Sequence, residues 1–97
     1  MSDYPNEQEL KLIREWPYTD FKGLIEFLQD VFWYPEWCIS VKGKQVLRVW
    51  ISTGGWSGNE DRIDALQQNS TFWFACWQWS KRGGHYFFKI NLKQLNK

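Results

Sequence analysis

Trp37-Cys38-Ile39-Ser40-Val41-Lys42-Gly43-Lys44-Gln45-Val46-Leu47-Arg48-Val49-Trp50-Ile51-Ser52 decides the fold, because here the apolar residues change from helical to alternate spacing. Residues 37–42 and 45–52 read as two strands joined by Lys42-Gly43-Lys44, a hairpin turn centred on a glycine. With Trp37, Ile39 and Val41 in the core beside Leu47, Val49 and Ile51, Arg48 and Trp50 emerge on the opposite face. A slip of one residue would reverse that assignment.

Upstream the spacing is helical. Asn6 with Glu9 predicts a capped first helix over about 7–16, stopped by Pro17, and Phe21, Leu24, Ile25, Leu28, Val31 and Phe32 predict a second over about 20–33. Downstream, a third helix over about 58–68 has only Ile63, Ala65 and Leu66 as apolar residues, so a surface position is expected. Residues 71–79 and 85–92 then read as a second hairpin around Lys81-Arg82-Gly83-Gly84. Its expected pairs are Trp79 with Tyr86, Trp77 with Phe88, Ala75 with Ile90 and Trp73 with Leu92 on an apolar face. The other face, with Ser80, His85, Gln78, Phe87, Cys76, Lys89, Phe74 and Asn91, is mixed, and is either solvated or a ligand platform. The order is αα-ββ-α-ββ, an α+β domain with antiparallel hairpins and helices mainly on one face.

The chain has 97 residues, enough for one domain over 1–97 and too few for a catalytic and a binding domain together. Its net charge of +1 hides a division: residues 1–36 carry eight acidic and three basic side chains, and residues 37–97 carry three acidic and nine basic ones. An acidic helical part up to residue 35 therefore precedes a basic, sheet-rich part from 36 onward. The cations include Lys93 and Lys97 and are scattered rather than gathered in a dense stripe, which argues against duplex nucleic acid. Met1-Ser2-Asp3-Tyr4-Pro5 lacks signal-peptide character, no apolar run is long enough to span a membrane, and Cys38 and Cys76 are expected as reduced thiols in a cytoplasmic protein. Eight tryptophans exceed what so small a core requires, and with open sheet edges they predict a homo-oligomer.

Two segments carry candidate chemistry. Ser52-Thr53-Gly54-Gly55-Trp56-Ser57-Gly58-Asn59-Glu60 is a glycine-rich turn from a strand into a helix, where backbone N–H groups can hold an anion. Ser57 and Glu60 have the form of a capping box, which leaves Trp56 without a staple partner and available to a ligand. Gly55-Trp56-Ser57-Gly58-Asn59 resembles a nucleophile elbow with one glycine displaced, but its base would have to be His85, the single histidine. One histidine and two distant cysteines do not make a zinc site, and Glu60, Asp61 and Asp64 decorate a helix; no metal or cofactor is expected. In the second segment, Lys81-Arg82-Gly83-Gly84-His85-Tyr86, a positive-φ turn places Arg82, His85 and Tyr86 where they can meet phosphate or carboxylate.

GWSGNE, Leu66 with Asn69, Phe72-Trp73, Trp77 and RGGHY at Arg82 to Tyr86 resemble a group of small proteins encoded in phages and prophages, across roughly the last half of the chain. The resemblance implies no catalytic residue. It implies a context in which small proteins disable host defences by occluding a host protein or sequestering a nucleotide signal. The expected function is thus non-catalytic binding of a small anionic ligand by Arg48, Trp50, Gly55, Trp56, Ser57, Asn59, Arg82, Gly84, His85 and Tyr86. The alternative is a protein–protein inhibitor or assembly module anchored by exposed tryptophans.

Overall fold

The computed structural model describes residues 5–92; Met1 to Tyr4, Lys93 and Lys97 lie outside the described residues. Helices α1 (Glu7–Arg14), α2 (Phe21–Val31) and α3 (Pro35–Cys38) precede strands β1 (Ile39–Lys42) and β2 (Val46–Ser52). Then come α4 (Ser57–Gln68), α5 (Ser70–Cys76), β3 (Trp77–Lys81) and β4 (His85–Asn91). The sheet is antiparallel in the order β1-β2-β4-β3, so the second hairpin inserts β4 beside β2. This is the expected α+β class.

The first helix starts as its sequence dictates, with Asn6 Oδ1 accepting from the Glu9 N–H at 2.8 Å. Asp20 caps α2 in the same way, accepting from the Gly23 N–H at 3.1 Å. Leu24, Ile25 and Leu28 of α2 are buried with Ile63 and Leu66 of α4 and with Leu47, Val49, Ile51, Phe88 and Ile90 from the inner face of the sheet. Helices thus cover one face and leave the other open. Arg62 on α4 donates to Glu9 on α1 at 2.8 Å, and Arg14 pairs with Glu7. These ion pairs among the described residues lie within the helical layer.

Four expectations need correction. Trp37 does not face the core: Pro35 opens a single helical turn, Tyr34 before it adopts φ 53°, and Trp37 is 83% exposed, so β1 begins only at Ile39. Residues 70–76 form α5 instead of a strand. Phe72 and Cys76 are buried four residues apart while Phe74 between them is 94% exposed, a helical period. Asn69 caps this helix through the Phe72 N–H at 3.2 Å, and Phe72 packs edge-on against Phe21 at 5.0 Å, so tertiary packing overrides the strand preference of an aromatic run. Third, α4 is no surface helix with a narrow contact, since it buries Gly58, Asn59, Arg62, Ile63, Ala65 and Leu66.

The fourth correction concerns register. Lys81 pairs with His85, Ser80 with Tyr86 and Trp79 with Phe87, while a bulge between Trp77 and Trp79 restores Trp77 opposite Phe88. The loop is therefore the three residues Arg82-Gly83-Gly84, and Trp79 moves from the expected apolar face to the open one. A β-bulge re-aims side chains in this way.

Candidate functional site

Strand alternation builds the open face row by row. Ser40 is opposite Trp50, Trp50 is opposite Phe87, and Phe87 is opposite Trp79. The ring centroids of Trp50 and Phe87 are 5.1 Å apart and those of Phe87 and Trp79 5.7 Å apart, an aromatic row across three strands. Next to it, Ser52 pairs with His85 and His85 with Lys81. Ser52 Oγ lies 2.7 Å from His85 Nδ1, and the imidazole tautomer decides which of the two donates. Trp50, Ser52, Trp79, Lys81 and His85 line a hollow of about 260 Å³, with Ile51 and Tyr86 also on its border. A larger concavity of about 690 Å³ runs beside α1, but Glu15 and Asp20 outnumber its one cation, Lys11, and disfavour an anion there.

The two glycine turns meet. The Thr53 N–H donates to the Gly84 carbonyl at 3.0 Å, and a β-carbon at Gly84, which sits at φ 79°, would collide with Thr53 Oγ1. Gly54 and Gly55 both have positive φ, as the tight turn requires. The Gly55 N–H points to Thr53 Oγ1 at 3.4 Å and the Trp56 N–H to the Thr53 carbonyl at 3.3 Å, so these donors of the turn are already used.

The capping box does not form. Trp56, not Ser57, occupies the N-cap without a side-chain hydrogen bond, and Ser57 is an exposed first residue of α4. Nor is the indole without a partner, since Trp56 packs on Trp33 at 4.9 Å and stacks on Tyr34 at 5.2 Å. It therefore belongs to a second aromatic group at the α2–α3 junction, apart from Trp50.

Asn59 is completely buried and structural. Its Oδ1 accepts from the Trp33 N–H and from Arg62, each at 3.0 Å, while Nδ2 donates to the carbonyls of Trp33 at 3.1 Å and Thr53 at 3.2 Å. Tyr86 lies on the inner face against Trp73 and Phe88; partial burial, then Asp64 and Glu60, raises its phenol above the ordinary range. Arg48 stands four residues before Ser52 on β2, about 13 Å away by strand rise. Arg82 is in the exposed turn between β3 and β4. The structure thus brings Trp50, His85 and Tyr86 to one hollow, with the glycine turns nearby, and does not converge Trp50, Trp56, Arg48 and Arg82 on one pocket.

Sequence reasoning missed Trp79, Ser52 and Lys81 as members of the hollow, and Phe87 as the ring between Trp50 and Trp79. Alternation along β2 would have placed Ser52 on the face of Trp50, but the bulge that exposes Trp79 has no glycine to announce it. His85 bonds Ser52 instead of Ser57, so the elbow-like segment is not joined to its only histidine. No known protein family, curated protein or solved structure matches the chain.

Proposed function

We propose that this chain is a non-catalytic binding protein for a small anionic ligand with a flat ring, such as a nucleotide, seated on the open face of the sheet. The supporting observation is the joining of aromatic rings and polar groups in one hollow: Trp50 and Trp79 flank Ser52, His85 and Lys81. Indole faces stack on a base, and the lysine and imidazole beside them meet phosphate. In a phage setting such binding would sequester a host nucleotide immune signal in the cytoplasm. Calorimetry against mono-, di- and cyclic nucleotides and ADP-ribose derivatives at two salt concentrations tests the reading. Binding that weakens with salt and falls about ten- to a hundred-fold in Lys81→Ala, whose side chain lines the hollow, is the expected result. No binding across the panel would overturn it.

The second reading is a protein–protein inhibitor. Trp37 at 83% exposure and Tyr34 at 47% favour it, because solvent-exposed aromatics of this kind anchor interfaces. Capture of a host protein that is lost in Trp37→Ala, together with silence in the nucleotide panel, would support it.

A further inference from the structure

The cations of the open face lie on both sides of its rings. Lys42 pairs with Arg48 and Arg48 with Lys89, so these side chains form a basic row across β1, β2 and β4. That row is two residues, about 7 Å, from Trp50, Phe87 and Trp79. Two residues beyond the rings on the other side stand Lys81 and His85. No aspartate or glutamate occurs in any of the four strands, and Glu60, Asp61 and Asp64 are on α4, whose buried residues pack behind the sheet. The acids of α4 therefore do not neutralise this face, which presents Lys42, Arg48, Lys81 and Lys89 around its rings.

A mononucleotide carries phosphate at one end of its sugar and engages one flank, leaving like charges uncompensated on the other. The interior of a polynucleotide carries phosphate on both the 5′ and the 3′ side of every nucleoside. Paired bases in a duplex are stacked on each other and do not offer a face to rings on a sheet, whereas unpaired bases do. We infer that the open face binds single-stranded nucleic acid, with bases on Trp50, Phe87 and Trp79 and phosphates on the Lys42–Arg48–Lys89 row and on Lys81. The inference rests on the proposed anion-and-ring site and extends it to a polymeric ligand.

The test is fluorescence anisotropy with labelled short oligo(dT) and oligo(rU), a duplex of equal length, and thymidine and uridine monophosphates as competitors. Neutralising four phosphates predicts a log–log salt slope of about −3 for single strands. Trp50→Ala and Trp79→Ala should each weaken binding about ten- to a hundred-fold, Lys89→Glu should weaken it and flatten the slope, and Trp37→Ala should change nothing. Far-UV circular dichroism verifies folding, and Trp50→Phe, which keeps a ring, should retain most of the affinity. Duplex bound as tightly as single strand, or Trp50→Ala and Trp79→Ala both without effect, would overturn the inference. Monophosphates that bind as tightly as the oligonucleotides would overturn it and leave the small-ligand reading standing. Oligonucleotide binding with a silent nucleotide panel would support it against that reading, and silence in both would overturn both.

Discussion

Replacing Asn59 by alanine should unfold the junction on which the site depends. The substitution strips partners from the Trp33 N–H, the Trp33 and Thr53 carbonyls and the Arg62 guanidinium, in a place without solvent access. An unsatisfied buried polar group costs about 1–3 kcal/mol, and a guanidinium left beside an empty space sits at the upper end of that range. Because Arg62 keeps Glu9 and the carbonyls can recover a water in the vacated volume, the full sum is not reached; about 3–5 kcal/mol is expected. For a domain of this size the melting temperature should fall by about 15–30 °C. Ser57→Ala, two residues away, should cost less than about 0.5 kcal/mol, since its exposed side chain makes no cap hydrogen bond. Urea unfolding followed by far-UV circular dichroism measures both. A loss below about 1 kcal/mol for Asn59→Ala, or a larger loss for Ser57→Ala, would refute the reasoning and return Ser57 to the capping role.

Trp56→Ala should be more destabilising than Trp77→Ala, by about 1 kcal/mol in thermal melts, because Trp56 holds Trp33 and Tyr34 together while Trp77 is 40% exposed and keeps mainly Trp73 and Ser80. Burial pushes the Cys76 thiol from its ordinary 9.0 up to about 12. A raised folded value favours the protonated form, so its contribution to stability is whole below about pH 9 and is lost as pH rises through about 12; alkaline unfolding curves should be shallower over that window in Cys76→Ala. The folded protein should also resist thiol alkylation at neutral pH. Self-association is expected from the exposed Trp37 and Phe74 and from β1 and β3 as the edge strands, and light scattering that reports a monomer at high micromolar concentration would remove it.

The helices with regular apolar spacing and the β2 strand were legible because a single local signal fixed each of them. Asn6 and Glu9 marked the start of α1, and the alternation Leu47, Val49, Ile51 against Arg48, Trp50 named the two faces of β2. The segment 71–79 was not legible, since Thr71-Phe72-Trp73-Phe74 has strand composition and only the contacts of Phe72 with Phe21 and Phe88 make it helical. The same limit applied to the site. Trp50, His85 and Tyr86 were found from face and turn chemistry, but the bulge that adds Trp79 is a tertiary event. Trp56 and Asn59 looked available in sequence because their partners, Trp33 and Tyr34, are more than twenty residues away. Among the described residues no helix is long and apolar enough to cross a membrane.

The open aromatic face is the central claim, and the eight tryptophan indole N–H signals in a two-dimensional NMR spectrum address it directly. Titration with a nucleotide or short oligonucleotide should shift the Trp50 and Trp79 signals, assigned from their alanine variants, and leave those of Trp16, Trp33 and Trp56 in place. Shifts confined to Trp33 and Trp56, or no indole shift at saturating ligand, would contradict a binding site on the solvent face of the sheet.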